Sequence, residues 1–127
     1  MTKHVVRTED APAPFQGAPY SQAIKANGFV FVAGQLGLRG KEIVPGGIGE
    51  QTEQVMANLR AILEAAGSSL DRIVKTTVFL QSLDDFAGMN EVYARHIGEQ
   101  PPARSTVEVA KLPSGALVEI EAIALTD

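Results

Sequence analysis

Cysteine and tryptophan are absent from this chain of 127 residues, and only 6% of the residues are aromatic. The lack of cysteine excludes disulfides, thiolate nucleophiles and thiolate metal ligands, so any chemistry must use oxygen and nitrogen groups. Histidine is limited to His4 and His96, which form no metal-binding spacing. We therefore expect no metal site.

Long apolar runs and basic runs are also missing. No segment approaches the roughly 18 apolar residues of a membrane-spanning helix, and no export signal opens the chain, so we expect a soluble, cytoplasmic protein. Eleven Lys and Arg stand against fifteen Asp and Glu, which gives a net charge of −4. That balance argues against a groove that neutralises nucleic-acid phosphates. We expect small-molecule partners and neither nucleic acid nor membrane.

The remaining composition fits one compact unit. With 127 residues of which 45% are hydrophobic, the chain can build one modest core. A second domain has no room, so we predict a single domain over residues 1–127.

Hydrophobic periodicity predicts two helices, over residues 51–66 and 84–97, each followed by a glycine. Alternating and β-branched segments predict strands over residues 20–25, 29–33, 72–80, 104–110 and 117–125. Asn27-Gly28 supplies the turn of a hairpin. The glycine-rich segment that follows residue 33 reads as an irregular connection. Together these elements predict an α+β domain in which both helices cover one face of a single sheet.

Strand alternation then suggests what lies on the uncovered face. In the last strand, Glu119 and Glu121 alternate with residues that fit the helix-covered face. In the preceding strand, Arg104 and Thr106 alternate with Val107. We place Arg104 with the glutamates on the open face, which then mixes charges of both signs with apolar residues. Such a face suits burial against other copies of the chain around a polar cleft.

Arg104 is the first candidate for chemistry, because two prolines precede a guanidinium at the start of an apolar strand. A planar fork of donors matches a carboxylate or phosphate. The alternative is an ion pair with a strand glutamate or a solvated strand end.

Three further residues are candidates from their local context. Glu119 could act as a proton relay or orient a water, or be a solvated strand residue. Tyr20 could donate its hydroxyl to a ligand, or pack in the core. Gly34 leaves a strand in Ala33-Gly34-Gln35 and could bring a backbone N–H close to an oxyanion.

Several motifs occur together in a characteristic order. They are Gly17-Ala18-Pro19-Tyr20-Ser21-Gln22-Ala23, Ala33-Gly34-Gln35, residues 73–80, Asp85-Phe86 with Met89-Asn90 and Tyr93, Pro102-Ala103-Arg104-Ser105, and Leu112-Pro113 followed by residues 118–124. In this order and spacing the chain resembles the RidA (YjgF) family over nearly its whole length. The resemblance implies a chorismate-mutase-like α+β fold, a homotrimer with clefts between subunits, and deamination of reactive enamines and imines without a cofactor.

The resemblance also implies roles for individual residues. Arg104 matches the arginine that grips the substrate carboxylate, and Glu119 the acid that orients the attacking water. Tyr20 matches the pocket tyrosine, Gly34 a backbone donor, and Asn90 lies in a motif near the cleft.

Two substrate-binding positions depart from the family pattern. Ala33 stands where many members have serine, which removes a hydroxyl contact, and Thr106 stands where some have cysteine. Two other functions stay open at this point. One is a regulatory protein that binds 2-oxo acids without turnover, and the other, which the acidic composition disfavours, is an endoribonuclease.

Overall fold

The computed structural model describes residues 2–127. Within that range the elements are β1 His4–Val6, β2 Ala23–Ala26, β3 Phe29–Leu36, β4 Leu38–Arg39, β5 Glu42–Ile43, α1 Ile48–Ala65, β6 Ile73–Leu80, α2 Phe86–His96, β7 Ala103–Glu108 and β8 Val118–Leu125. Six strands form one sheet in the order β1-β2-β3-β8-β6-β7, and β4 pairs with β5 in a small hairpin. All neighbours in the large sheet are antiparallel except β6 and β7, which are parallel.

The two predicted helices and the hairpin turn are present, with helix bounds that differ from the predicted ones by one to three residues. Asn27 and Gly28 have φ values of 53° and 83°, as a two-residue hairpin turn between twisted strands requires. The apolar stripe of α1 is completely buried at Val55, Met56, Leu59, Ile62 and Leu63. Each such side chain contributes about 1.5–3 kcal/mol of transfer free energy, so this stripe fixes α1 on the sheet.

Both helices cover the same face of the sheet. The residues of β8 that face the main core are Val118, Ile120, Ala122 and Ala124, and they share it with the buried residues of α1 and with Met89 and Tyr93 of α2. The predicted α+β architecture is therefore confirmed. Among residues 2–127, neither helix has the length and hydropathy needed to cross a membrane.

The structure differs from the local predictions at four points. The strand expected over residues 20–25 begins only at Ala23, so Tyr20 lies in the preceding loop. The connection that was predicted to be irregular contains the β4–β5 hairpin, and α1 begins at Ile48, three residues before its predicted start. The N-terminal strand β1 was not predicted at all, because three residues are too few to show alternation.

The assignment of Arg104 and Thr106 to the open face was also wrong. Arg104 lies beside Thr76 in the β6–β7 register, and Thr76 lies beside Ala122. Thr76 is fully buried and belongs to the helix-covered face, and paired residues point to the same side of a sheet. Val107 lies beside Phe79, which lies beside Glu119, so the apolar Val107 faces the open side and the polar residues of β7 lie on the side of α2.

Candidate functional site

A β-bulge interrupts β3 in the middle of the sheet. Val32 pairs with Ala122 and Gln35 with Ile120, so β3 carries one residue more than β8 between these pairs. The Nε2 group of Gln35 donates back to the carbonyl oxygen of Ala33 at 2.9 Å. The bulge thus brings Ala33 and Gly34 out of the regular ladder, as bulges beside binding sites often do.

Glu119 lies directly against this bulge. Its register partners are Leu36 of β3 and Phe79 of β6, which places its side chain on the open face. A β-carbon built on Gly34 would overlap the Oε2 atom of Glu119. Position 34 therefore has to be glycine for the carboxylate to stay where it is, which is a reason for this glycine that the sequence did not reveal.

The surroundings of Glu119 change its acidity. Partial burial raises the pKa of the Glu119 carboxyl above its ordinary value, and the nearby charge of Glu121 raises it further. Burial acts in this direction because a low-dielectric environment disfavours the charged form. A carboxyl with a raised pKa is a stronger base when ionised and can return the proton, as general acid–base catalysis requires.

The loop that Tyr20 and Gln22 anchor lies next to the bulge and Glu119. The backbone N–H of Phe15 donates to the Tyr20 hydroxyl oxygen, so the hydroxyl hydrogen stays available to a ligand. Gln22 is buried; its amide accepts from the N–H of Thr8 at 2.8 Å and donates to the carbonyl of Pro12 at 2.9 Å. Tyr20 is 43% exposed, so it is not the core residue that the sequence left as an alternative.

The loop and the bulge enclose a cavity of about 510 Å³. Four of the predicted site residues line it, namely Tyr20, Ala33, Gly34 and Glu119. Apolar side chains of Phe15, Leu36 and Leu38 form much of the remaining wall. The cavity therefore combines one proton-accepting group with an apolar wall, a usual composition for a small-molecule site.

Arg104 lies elsewhere, on the α2 side of the sheet. Its guanidinium carbon is 4.9 Å from the ring centre of Tyr93 and 5.5 Å from that of Phe86. No carboxylate or other hydrogen-bond acceptor within residues 2–127 pairs with this guanidinium. The intramolecular ion pair that the sequence left as an alternative is thus not formed by the described residues.

Thr106 and Asn90 lie on the same two elements, β7 and α2, as Arg104 and its aromatic neighbours. Thr106 follows Arg104 by two residues on the same face of β7, and Asn90 lies on α2 between Phe86 and Tyr93. Thr106 Oγ1 and Asn90 Oδ1 are buried and have no hydrogen-bond partner in the part of the chain that the structure describes. Buried polar atoms normally have partners, so these two atoms are exceptions that the fold of one chain leaves unsatisfied.

The predicted site residues thus form two groups. Tyr20, Ala33, Gly34 and Glu119 lie on the open face, whereas Arg104, Thr106 and Asn90 lie on the helix side. The backbone of the sheet separates the two groups in one chain. One copy of the chain therefore presents Arg104 and Glu119 on opposite faces of its sheet.

The sequence did not single out Gln22, Thr76 or the aromatic pair of α2 for these roles. Phe86 and Tyr93 were named as members of a shared motif, and their seven-residue spacing puts them on one helix face. The spacing does not reveal that both rings contact the charged side chain of Arg104 on β7. Among residues 2–127, no group of three or more His, Cys, Asp or Glu side chains is placed to hold a metal ion.

Comparison with known proteins gives a consistent result. The family profile described as Endoribonuclease L-PSP matches residues 8–126. The RutC family protein PH0854 of Pyrococcus horikoshii is 56% identical over 124 residues, which are 96% of this chain and 97% of the relative. The chloroplastic Reactive Intermediate Deaminase A of Arabidopsis thaliana is 50% identical over 127 residues, covering 98% of this chain and 66% of the relative.

A solved structure agrees at the level of the fold. The crystal structure of RidA from the Antarctic bacterium Psychrobacter sp. PAMC 21119 superposes with a TM-score of 0.91 at 44% identity, and the match covers 96% of this chain and 98% of that one. Both the profile match and these identities extend over nearly the whole chain, bulge and Arg104 strand included. The chain therefore belongs to the Endoribonuclease L-PSP family, that is, the YjgF/RidA family.

Proposed function

We propose that this protein hydrolyses small imines and enamines that carry a carboxylate, of the 2-aminoacrylate and 2-iminopropanoate type, to 2-oxo acids and ammonia. The observation that carries the proposal is the pairing of chemistry in the two residue groups: an arginine without an internal partner and a glutamate whose pKa is raised. The name of the Arabidopsis relative supports the same reaction class. Removal of such reactive intermediates would make the protein an agent of metabolite damage control.

The site would be assembled between subunits of a homotrimer. The uncovered sheet face exposes large apolar side chains, including Phe29, Phe31 and Leu125, each at least 36% exposed. Apolar residues clustered on one face usually mark an interface. A rotation that brings the α2 side of one copy against the open face of the next would place Arg104 beside the cavity of Glu119.

In this arrangement the reaction needs few groups. Arg104 holds the substrate carboxylate through two parallel N–H bonds, which fixes the imine carbon next to a water on Glu119. The imine enters with its nitrogen protonated; the water oxygen bonds to the imine carbon while Glu119 takes a proton from the water, giving a neutral carbinolamine. Glu119 returns that proton to the nitrogen, and the C–N bond breaks as the C=O bond forms. The hydroxyl proton passes through Glu119 to the departing ammonia, which leaves as ammonium with a 2-oxo acid. The side chain of Tyr20 forms part of the pocket wall, and Ala33 lines the pocket without offering the ligand a hydroxyl.

A coupled assay tests the proposal. Iminopropanoate is generated from serine by a dehydratase, semicarbazide traps it, and adduct formation is followed with and without this protein. We expect the protein to suppress the adduct and to increase pyruvate. An unchanged yield of adduct at any protein concentration would contradict deaminase function.

A sensor that binds 2-oxo acids without turnover is the second candidate, because Arg104 alone explains binding of a carboxylate. Binding of pyruvate together with an unchanged adduct yield would favour that function. The family description names an endoribonuclease, but the net charge of −4 gives that activity no electrostatic support. The cytoplasm, as the compartment in which the reaction occurs, stays part of the proposal.

A further inference from the structure

The guanidinium of Arg104 lies close to two aromatic rings of α2. The ring of Tyr93 is 4.9 Å from the guanidinium carbon and that of Phe86 is 5.5 Å away, both within the roughly 6 Å over which a cation interacts with an aromatic face. We infer that Phe86 and Tyr93 form an aromatic cradle that positions Arg104 to receive a ligand carboxylate. This inference rests on the proposed function and assigns the two rings as positioning residues.

A hydrogen bond to the sheet fixes the position of Tyr93. Its hydroxyl shares a hydrogen bond of 2.8 Å with Oγ1 of Thr76, a residue with no exposed surface. Thr76 is also the register neighbour of Arg104 across β6 and β7. The hydrogen bond to Thr76 therefore holds the Tyr93 ring beside the position in the sheet from which Arg104 projects.

Phe86 also lies close to Arg104, from the first turn of α2. It begins α2 and is 41% exposed, so the main core does not account for its place. Its ring contacts the guanidinium of Arg104. An exposed aromatic ring close to an arginine that has no hydrogen-bond partner among residues 2–127 is placed to hold that arginine.

Stacking and carboxylate binding use different parts of a guanidinium. Aromatic rings occupy its faces, whereas its N–H groups project from the edges in the plane. A cradled arginine can therefore still present the two-point grip to a carboxylate. An arginine side chain is otherwise costly to order, because it has many rotamers of similar energy. The cradle should act mainly on substrate affinity and little on the chemical step.

The test uses the full-length protein with Phe86→Leu, Tyr93→Leu and Tyr93→Phe variants. Phe86→Leu alters an exposed residue, so it tests the cradle even where the buried Tyr93→Leu variant fails to fold. Tyr93→Phe keeps the ring and loses only the hydroxyl. Val92→Ala is the control, because Val92 is a buried residue of α2 whose side chain lies against Gly49 of α1.

We expect Phe86→Leu and Tyr93→Leu to raise KM, and the dissociation constant for pyruvate measured by calorimetry, about 5- to 30-fold, the range of a partly buried cation–π contact. The value of kcat should change less than about threefold, because the contact is the same in ground and transition states. Tyr93→Phe should recover most of the affinity, and Val92→Ala should keep it while lowering the melting temperature.

Measurements in the Arg104→Gln background show whether the two rings act through Arg104 or contact the ligand directly. If the rings act through Arg104, Phe86→Leu should have no further effect on the pyruvate dissociation constant once Arg104→Gln is present. An effect of equal size in both backgrounds would overturn the inference, as would an unchanged KM in Phe86→Leu. A wild-type protein that binds pyruvate without turnover would overturn the proposed enzyme, while the same binding series would still decide the cradle. A wild-type protein with neither activity nor binding would overturn both.

Discussion

The carboxylate of Glu119 occupies the space that a side chain at Gly34 would fill. This contact couples the bulge in β3 to the one acidic group of the cavity. It explains at once why the strand carries a glycine there and why the carboxyl is shielded from water on one side.

Gly34→Ala should therefore displace the Glu119 carboxylate without unfolding the protein. We expect turnover in the semicarbazide assay to fall at least tenfold, because small misplacements of a catalytic group are costly. Gly49→Ala is the matched control, since a β-carbon at Gly49 meets only Val92, at 3.8 Å. Equal activity of the two variants would show that the Gly34–Glu119 contact has no role in catalysis.

Arg104→Lys should nearly abolish activity although the charge is kept. An ammonium group can form neither the planar two-point grip on a carboxylate nor the same stacking on two rings. Charge-assisted hydrogen bonds of roughly 1.5–3 kcal/mol are lost, equivalent to about a 10- to 150-fold rise in KM. Arg95→Lys, at an exposed ion pair with Glu91, is the control and should behave as wild type. Normal kinetics of Arg104→Lys would make Arg104 a structural residue.

Glu119→Gln preserves the shape of the side chain and removes the proton acceptor. We expect turnover to fall by about 10²–10⁴, the usual contribution of a general acid–base group. Binding of pyruvate should survive, because Arg104 still holds the carboxylate. Loss of binding in a folded variant would instead identify Glu119 as a ligand contact and favour the sensor.

The raised pKa of Glu119 also predicts a pH dependence. Wild-type turnover should decline as the pH falls through the raised pKa, so its acid limb should lie above the ordinary value of 4.5. The folded state holds this proton more tightly than the unfolded state, so ionised Glu119 destabilises the fold above the raised pKa and has no effect below the ordinary value. The stability of Glu119→Gln relative to wild type, measured by urea unfolding, should therefore increase with pH through that window. A difference that is independent of pH would contradict the shift.

The sequence and the structure agree where local patterns decide the outcome. The apolar spacing of Leu59 and Ile62 and the Asn27-Gly28 turn are local signals, and the elements that they predict are present. The alternation within β7 was also read correctly. The face of the sheet on which Arg104 lies was predicted wrongly. It depends on the register between β6 and β7, and a local sequence pattern does not contain the register of two strands that are distant in the chain.

The same distinction applies to the candidate site. Tyr20, Gly34 and Glu119 were singled out by their local context and by family motifs, and the structure brings them to one cavity. The aromatic cradle of Arg104 and the anchoring role of Gln22 depend on contacts between segments far apart in the chain. Such contacts become visible only in three dimensions.

Phe31→Glu should disrupt the proposed homotrimer. Phe31 is 45% exposed on the open face, and a carboxylate there would be buried without a partner in an apolar interface. We expect light scattering to give the trimer mass for wild type at micromolar concentration and a smaller mass for the variant, with loss of turnover. A wild-type monomer would remove the site between subunits.

The central claim is that Arg104 and Glu119 of different copies act on one ligand, and mixed oligomers test it most directly. Arg104→Gln and Glu119→Gln, each inactive alone, are co-expressed with different tags, and the mixed species is purified through both tags. In a cyclic trimer that contains both variants, one of the three sites combines the two native residues, so about one third of wild-type activity should return. Activity no greater than that of the separate variants, in oligomers shown to contain both chains, would contradict the account.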